Sequence, residues 1–80
     1  MCGDDMDKTQ MKKYELLGAN IYYYRRKRKL TQEQLAERAD IEPNHISNIE
    51  LAKIGVSLDV LFRIADVLEI PVYKLFEFRE

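Results

Sequence analysis

Apolar residues recur with a helical period along most of this chain, and no stretch alternates in the way that a strand requires. Leu17, Ile21 and Tyr24 lie four and three residues apart, which places them on one face of a helix that ends near Lys29. Later segments repeat this spacing, so we predict an all-α fold of five short helices around one core. The other residues predicted to face inward are Leu35, Ala36, Ala39, Ile46, Ile49, Leu58, Leu61, Ile64, Ala65 and Leu68.

Residues that favour helix starts and stops support these boundaries. Thr31 precedes Gln34 by three residues, the spacing of a capping box, in which each side chain bonds the backbone N–H of the other. Pro43 opens the third helix, where its missing N–H would have no intrahelical partner anyway. Pro71 breaks the fourth helix, and residues 72–76 are predicted to form the fifth, of one or two turns.

The chain is short and holds few residues that could crosslink it or bind a metal. Eighty residues suffice for one domain, which we predict over residues 14–80 after a flexible tail at residues 1–13. A lone cysteine, Cys2, forms no internal disulfide, and one cysteine with one histidine makes no structural zinc site. No apolar run approaches the roughly 18 residues of a membrane span, and the first residues are too polar for a signal peptide. These features predict a cytoplasmic protein without a cofactor.

Charge is unevenly distributed, although the net charge is only -1. The first 40 residues carry 9 basic and 7 acidic side chains, whereas the last 40 carry 4 and 7. Five cations in a row, at residues 25–29, close the first predicted helix. They suit the negative end of a helix dipole, and they equally suit attraction to phosphates. Both interpretations remain open, and both can hold together.

Two short helices joined by a brief turn, at about residues 32–51, are the feature with the clearest functional meaning. This arrangement is typical of a helix-turn-helix unit, whose second helix enters the major groove of DNA. Base edges are read there by hydrogen-bonding side chains near the start of that helix. The polar candidates on the third helix of this chain are Asn44, His45, Ser47 and Asn48.

The sequence of residues 30–50 resembles the Cro/CI-type, or XRE, family of phage-repressor-like regulators. It reads LTQEQLAERADIEPNHISNIE, and the family pattern has L-[ST]-Q-x-x-L-A, then G-[VI], then I-S-x-[IW]-E at the same spacing. The next family segment matches residues 56–76 without an insertion, save at Val56 itself, so the resemblance covers about residues 17–76. It implies a five-helix phage-repressor-like DNA-binding domain. It also implies a non-enzymatic DNA-binding regulator, and we predict a dimeric repressor that acts on a near-palindromic operator of double-stranded DNA.

The resemblance also implies roles for individual positions. Gln32 matches a glutamine that contacts phosphate and braces the recognition helix. Arg25 and Glu50 match a pair that forms a partly buried salt bridge between the first and third helices. Pro43, Asn44 and Asn48 occupy the positions that read bases in the family. His45 and Ser47 lie beside them, at positions near the DNA backbone.

Three departures from the family pattern affect the contacts that we expect with the DNA backbone. Asp40 replaces the usual turn glycine, and aspartate tolerates the left-handed conformation better than most residues. Leu51 and Ala52 replace the usual Asn-Gly after the third helix, which removes a polar phosphate contact and a glycine stop. Ile54 and Val56 replace polar or proline residues, which makes this loop unusually apolar and suited to packing against a partner.

The C-terminal segment is rich in apolar side chains for so small a chain. If Leu75 and Phe76 close the core, Tyr73 and Phe78 remain exposed, which favours a dimer interface. We predict that Tyr73 and Phe78, or Ile54 and Val56 in the loop, join two copies symmetrically. The alternative is an antitoxin-like or adaptor protein whose main partner is another protein, which the acidic second half and the apolar loop favour slightly.

Other conspicuous residues have structural explanations. His45 and Ser47 lie two residues apart, so on a helix they point to different faces and form no catalytic dyad. We therefore predict that the chain is not an enzyme. Tyr22, Tyr23 and Tyr24 could form a stacking platform for single strands, but the helical period favours Tyr24 in the core and the other two on the surface.

Overall fold

The computed structural model describes residues 8–78, and every regular element in that range is helical. It contains four α-helices and, within the same range, no strand, which confirms the all-α prediction. The α-helices are α1 (Met11–Lys27), α2 (Gln32–Ala39), α3 (Pro43–Glu50) and α4 (Leu58–Leu68). Two 3₁₀ helices flank them, at Lys8–Gln10 and at Val72–Phe76.

The last helix is of a different type from the one predicted, and the first helix begins earlier in the chain than predicted. The fifth segment, Val72–Phe76, is a 3₁₀ helix, a form suited to short runs because its hydrogen bonds span three residues and not four. α1 already includes residues 11–13, which were predicted to belong to the tail, and Lys13 lines an apolar groove beside Tyr14. Residues 1–7 of the predicted tail lie outside the described residues.

One core holds the helices together, and every α-helix contributes to it. Burying a large aliphatic side chain contributes roughly 1.5–3 kcal/mol, so this core is a main source of stability. The helical spacing correctly predicted its members on α1 to α4, and Leu75 joins them from the last 3₁₀ helix. The largest fully buried side chains are Ile21, Leu35, Ile46, Ile64, Leu68 and Leu75.

Gly18 allows α1 and α3 to approach each other closely. A β-carbon at this position would lie 2.6 Å from the carbonyl oxygens of both Ile49 and Glu50, at the end of α3. Real β-carbons essentially never come so close to another heavy atom. The absence of a side chain at Gly18 therefore sets the distance between α1 and the end of α3.

Side chains at the helix starts fix where α2 and α4 begin. Thr31 Oγ1 accepts a hydrogen bond from the Gln34 backbone N–H at 3.0 Å, and Gln34 Oε1 accepts one from the Thr31 N–H at 2.9 Å. This is the predicted capping box. Ser57 Oγ accepts from the Val60 N–H at 3.2 Å and caps α4 in a similar way.

Each α-helix is followed within two residues by a residue in the left-handed conformation, and none of the four is glycine. The φ angles are 60° at Lys29, 59° at Asp40, 58° at Ala52 and 58° at Glu69. Asp40 thus adopts the conformation predicted for the position of the family's turn glycine. For most residues the left-handed conformation costs roughly 1–2 kcal/mol, so glycine would relieve strain at these turns.

We expect Lys29→Gly to stabilise the fold. Lys29 is exposed, and within residues 8–78 its side chain makes no hydrogen bond or ion pair, so the substitution acts on the backbone. Relief of strain, offset by the greater unfolded-state freedom of glycine, should raise the free energy of unfolding by about 0.5–1 kcal/mol. Urea denaturation measures this change. Lys29→Ala removes the same side chain but keeps the strain, and an equal gain in that control would contradict the explanation.

The residues after α4 pack with a period of three. Val72 and Phe78 are half-buried against the core and Leu75 is fully buried, whereas Tyr73 and Phe76 are 59% and 43% exposed. Side chains at i and i+3 of a 3₁₀ helix lie above one another, which explains why Val72 and Leu75 both face the core. Phe78 lies beyond the helix, after the extended residue Glu77. The prediction that Phe76 closes the core while Phe78 stays exposed is therefore wrong, because the two residues exchange places.

The loop between α3 and α4 also packs inward. Ile54 and Val56 are half-buried against the core, so they are not free to form the predicted dimer interface as exposed side chains. Leu51 and Leu58, on either side of them, are 61% and 60% exposed. Leu58 fits the apolar period of α4 but begins that helix at the edge of the core. Among the four residues predicted to join two copies, Tyr73 alone is exposed.

Candidate nucleic-acid interface

α2 and α3 are joined by a turn of residues 40–42, and an open groove lies between their first turns. The groove has a volume of about 500 Å³ and is bordered by both helices and by one residue of α1. Several of the predicted site residues come together here. The lining residues are Arg25, Thr31, Gln32, Glu33, Pro43, Asn44 and Ser47.

One face of α3 carries polar side chains that the protein itself does not use. Asn44, Ser47 and Asn48 have the i, i+3, i+4 spacing of neighbours on a helix surface. Asn44 is exposed and the other two are half-buried, and within residues 8–78 none of these side chains has a hydrogen-bond partner. Ile46 and Ile49 are buried and anchor the helix. The unused amides and hydroxyl are therefore held on a rigid support.

His45 lies apart from the groove, although its neighbours Asn44 and Ser47 line it. The separation follows from the i, i+2 spacing of His45 and Ser47, which points them to different faces of α3.

In the part of the chain that the structure describes, no group of three or more histidine, cysteine, aspartate or glutamate residues could hold a metal ion. No helix among residues 8–78 is long and apolar enough to cross a membrane.

A buried network ties the end of α3 to α1 and α2. Arg25 donates to Glu50 twice, from Nε to Oε2 at 2.7 Å and from Nη2 to Oε1 at 3.2 Å. Arg25 Nη1 donates to the Leu30 carbonyl oxygen at 2.8 Å, and Gln32 Nε2 donates to Glu50 Oε1 at 2.9 Å. The side chains of Arg25 and Glu50 are only 8% and 4% exposed. Glu50 thus joins three helices in one ion-paired cluster.

This network leaves the groove without a free cation of its own. Arg25 lines the groove but is paired with Glu50, and Glu33 adds a negative charge at the start of α2. α3 contains neither lysine nor arginine. Gln32 gives one amide hydrogen to Glu50 and retains a second one for a ligand. The groove therefore offers polar donors and acceptors. Positive charge for binding an anionic ligand must come from residues at the edges of the groove.

A helix-turn-helix family model matches residues 21–75, which is well over half of the chain. The match includes α2, α3 and the turn between them. This chain belongs to the XRE-type helix-turn-helix family of DNA-binding transcription regulators. The family predicted from residues 30–50 is confirmed, and α3 is the second helix of the helix-turn-helix unit in this XRE-type domain.

Known proteins similar to this XRE-type chain are regulators of bacterial or phage origin. The immunity repressor protein of Bacillus phage phi105 is 39% identical over 56 residues, which are 70% of this chain and 39% of the repressor. Control protein C.SmaI of Serratia marcescens is 35% identical over 71 residues, 89% of this chain and 84% of that protein. The chain thus spans well under half of the phage repressor and most of the control protein.

A solved structure agrees with these sequence matches. The restriction-modification controller protein C.AhdI from Aeromonas hydrophila superposes on this chain with a TM-score of 0.78 and 25% identity. The superposition covers 79% of this chain and 96% of C.AhdI. The arrangement of helices that forms the groove is therefore that of a known controller protein.

Two arginines of the XRE-type domain make long-range contacts that leave no signal in the sequence spacing. Arg63 Nη1 of α4 donates to the carbonyl oxygens of Ala39 at 3.3 Å and Asp40 at 3.2 Å, at the end of α2. Arg28 Nε donates to the Leu68 carbonyl oxygen at 2.8 Å, at the end of α4. Cations interact favourably with the negative, C-terminal ends of helices. Arg28, one of the five consecutive cations, therefore stabilises the end of α4.

Proposed function

We propose that this chain is a sequence-specific DNA-binding repressor that works as a homodimer on a near-palindromic operator. The observation that carries the proposal is the outer face of α3, where the side chains of Asn44 and Asn48 have no partner within residues 8–78 while Glu50 anchors the same helix. The major groove admits one helix, and base edges require donors and acceptors at known places. An immunity repressor and control proteins among the similar proteins support a role in regulation.

Asn44 and Asn48 read bases in this proposal. An asparagine amide carries both a donor and an acceptor and can pair with the N6 and N7 atoms of adenine. Such a contact is worth about 1–3 kcal/mol of discrimination against a wrong base. Pro43, exposed at the start of α3, offers an apolar surface to a thymine methyl group beside them.

Contacts to the DNA backbone come from residues beside the reading positions. Gln32 uses its remaining amide hydrogen on a phosphate oxygen, and the first turn of α2 favours the negative charge there. His45 and Ser47 flank the base-reading residues and approach the sugar-phosphate backbone. Backbone contacts position a protein but carry no sequence information directly.

We expect the asparagine variants to lose specificity and the Gln32 variant to lose general affinity. Asn44→Ala or Asn48→Ala should lower affinity for the operator by about 5- to 150-fold and change affinity for random DNA little. Gln32→Ala should weaken both by similar factors, since it removes a phosphate contact. Titrations of operator and random duplexes at one fixed salt concentration measure both effects.

Two outcomes of these titrations would contradict the proposal. Asparagine variants that still separate the operator from random DNA as well as the parent does would show that Asn44 and Asn48 are not the readers. A parent protein with no preference between the two duplexes, even at low salt, would favour an antitoxin-like or adaptor role in which this face binds another protein.

The homodimer is proposed from apolar side chains that α4 and the last 3₁₀ helix leave exposed. Leu58 and Phe62 lie one turn apart on α4 and are 60% and 49% exposed. Phe76 is 43% exposed and shares with Leu58 the border of an apolar groove of about 320 Å³. For the two α3 helices to reach successive major grooves, a second copy that covers this surface must hold them about 34 Å apart.

Phe62→Glu should therefore break the dimer. A carboxylate buried in an apolar interface is strongly disfavoured because it loses its hydration, so the variant should sediment as a monomer where the parent is dimeric. Tyr23→Glu is the matched control, since Tyr23 is an aromatic residue on α1 with 50% exposure. A parent that stays monomeric in sedimentation at high micromolar concentration would contradict the dimer, and a dimeric Phe62→Glu variant would contradict this interface.

A further inference from the structure

Two exposed side chains of α1, Tyr22 and Arg26, pack together beside Arg25, which lines the groove between α2 and α3. The ring of Tyr22 is close to two guanidinium groups, with its centre 5.2 Å from that of Arg25 and 5.7 Å from that of Arg26. Arg26 Nη1 also donates to Tyr22 Oη at 3.4 Å. Because Arg25 lines the groove, Tyr22 connects the guanidinium of Arg26 to the edge of that groove.

Among the residues that the structure describes, the positive charge of Arg26 is not balanced by an acidic side chain. Arg26 is exposed, and within residues 8–78 its guanidinium forms no ion pair with an acidic side chain. Arg25, in contrast, is buried and paired with Glu50. Double-stranded DNA carries one negative charge for about every 1.7 Å of its axis. A protein that places α3 in the major groove therefore needs cations at the edges of its reading surface.

We propose that Arg26 binds a phosphate of the operator beside the bases that α3 reads, and that Tyr22 holds the Arg26 guanidinium in place. The inference rests on the proposed function and adds a backbone contact from α1. A guanidinium over an aromatic ring is attracted by the ring face. Its N–H groups lie in the guanidinium plane and can still form paired hydrogen bonds to phosphate oxygens. Tyr22 is thus a positioning residue, and Arg26 makes the contact.

The same helix contains a matched control for this pair. Tyr23 and Lys27 repeat the aromatic–cation arrangement, with Lys27 Nζ 5.7 Å from the centre of the Tyr23 ring. Lys27, however, lines a different cavity, together with Tyr24, Leu68 and Ile70. At about 100° of rotation per residue, Tyr22 lies between Arg25 and Arg26 around the axis of α1, whereas Tyr23 and Lys27 lie roughly 100° farther from Arg25.

The salt dependence of DNA binding tests the proposal. Arg26→Gln should weaken binding to operator and random duplexes alike and reduce the slope of log affinity against log salt by about 0.9 for each protomer bound. Lys27→Gln should leave the slope at the parent value. Tyr22→Leu should weaken binding in the same direction and add little to Arg26→Gln. Tyr22→Phe, which keeps the ring and loses only the 3.4 Å contact of the hydroxyl, should bind nearly as the parent does.

Each result decides between distinct outcomes. If Arg26→Gln has the same salt slope as the parent protein, the proposed contact is overturned. The proposed function then stays intact, provided that the parent protein still prefers its operator. Equal losses of slope in Arg26→Gln and Lys27→Gln would also overturn it, since the basic run would then act as diffuse charge. A parent without any preference for a DNA sequence would overturn the proposed function itself.

Discussion

Glu50→Ala is expected to lower the free energy of unfolding by about 3 kcal/mol. Glu50 accepts hydrogen bonds from Arg25 and Gln32, and its side chain is only 4% exposed. Without Glu50, the Arg25 guanidinium keeps the Leu30 carbonyl oxygen as a partner but loses its counter-charge. An uncompensated charge in a buried position is costly because it has left water without an equivalent partner. Urea denaturation followed by circular dichroism measures the loss.

Glu69→Ala is the control for this prediction. Glu69 pairs with Arg28 at 3.2 Å, but the two side chains are 71% and 44% exposed. Exposed pairs contribute roughly 0–1 kcal/mol because solvent screens them, so this variant should change stability little. A change near zero for Glu50→Ala as well would contradict a stabilising role for the buried pair and for its connection of α1, α2 and α3.

Gly18→Ala should destabilise the fold even though alanine is the better helix former. On helix propensity alone, the substitution would stabilise α1 by roughly 0.5–1 kcal/mol. The new β-carbon would instead meet the carbonyl oxygens of Ile49 and Glu50 at 2.6 Å. Both oxygens belong to the backbone and cannot rotate away, so α1 and α3 must separate. We expect a net loss of about 2–3 kcal/mol, typical of overpacking.

Ala19→Gly, at the next position, measures the propensity effect by itself. Ala19 is exposed on the same helix, so its replacement should cost about 0.5–1 kcal/mol through backbone freedom alone. The sign of the Gly18→Ala effect is therefore decisive. An increase in the free energy of unfolding would show that the close approach of α1 and α3 does not depend on glycine.

Features that depend on nearby residues could be predicted from the sequence. Thr31 and Gln34 form the expected capping box because such a box needs two residues three apart at a helix start. The spacing of Asn44 and Asn48 predicted that they share a face of α3, because helix periodicity is also local. The pairing of Arg25 with Glu50 is different, since no periodicity links residues so far apart and only the family resemblance implied it.

Features that depend on distant backbone could not be predicted in this way. Gly18 carries no local signal, because its constraint comes from the carbonyl oxygens at the end of α3. Phe76 is exposed because the 3₁₀ helix aligns Leu75, and not Phe76, with Val72. Phe78 lies beyond that helix and packs against the core after the extended residue Glu77. Leu58 has the right spacing for the core, but as the first residue of α4 it lies at the edge of the core and is 60% exposed.

Selection of binding sites from a random pool of DNA duplexes tests the central claim most directly. We expect the parent protein to enrich a near-palindromic site whose half-sites lie about 34 Å apart, or one helical turn. The double variant Asn44→Ala, Asn48→Ala, which keeps the anchoring of α3, should enrich no defined bases at the positions that these residues read. If the parent enriches no sequence above the starting pool at low salt, α3 does not read DNA and the claim is contradicted.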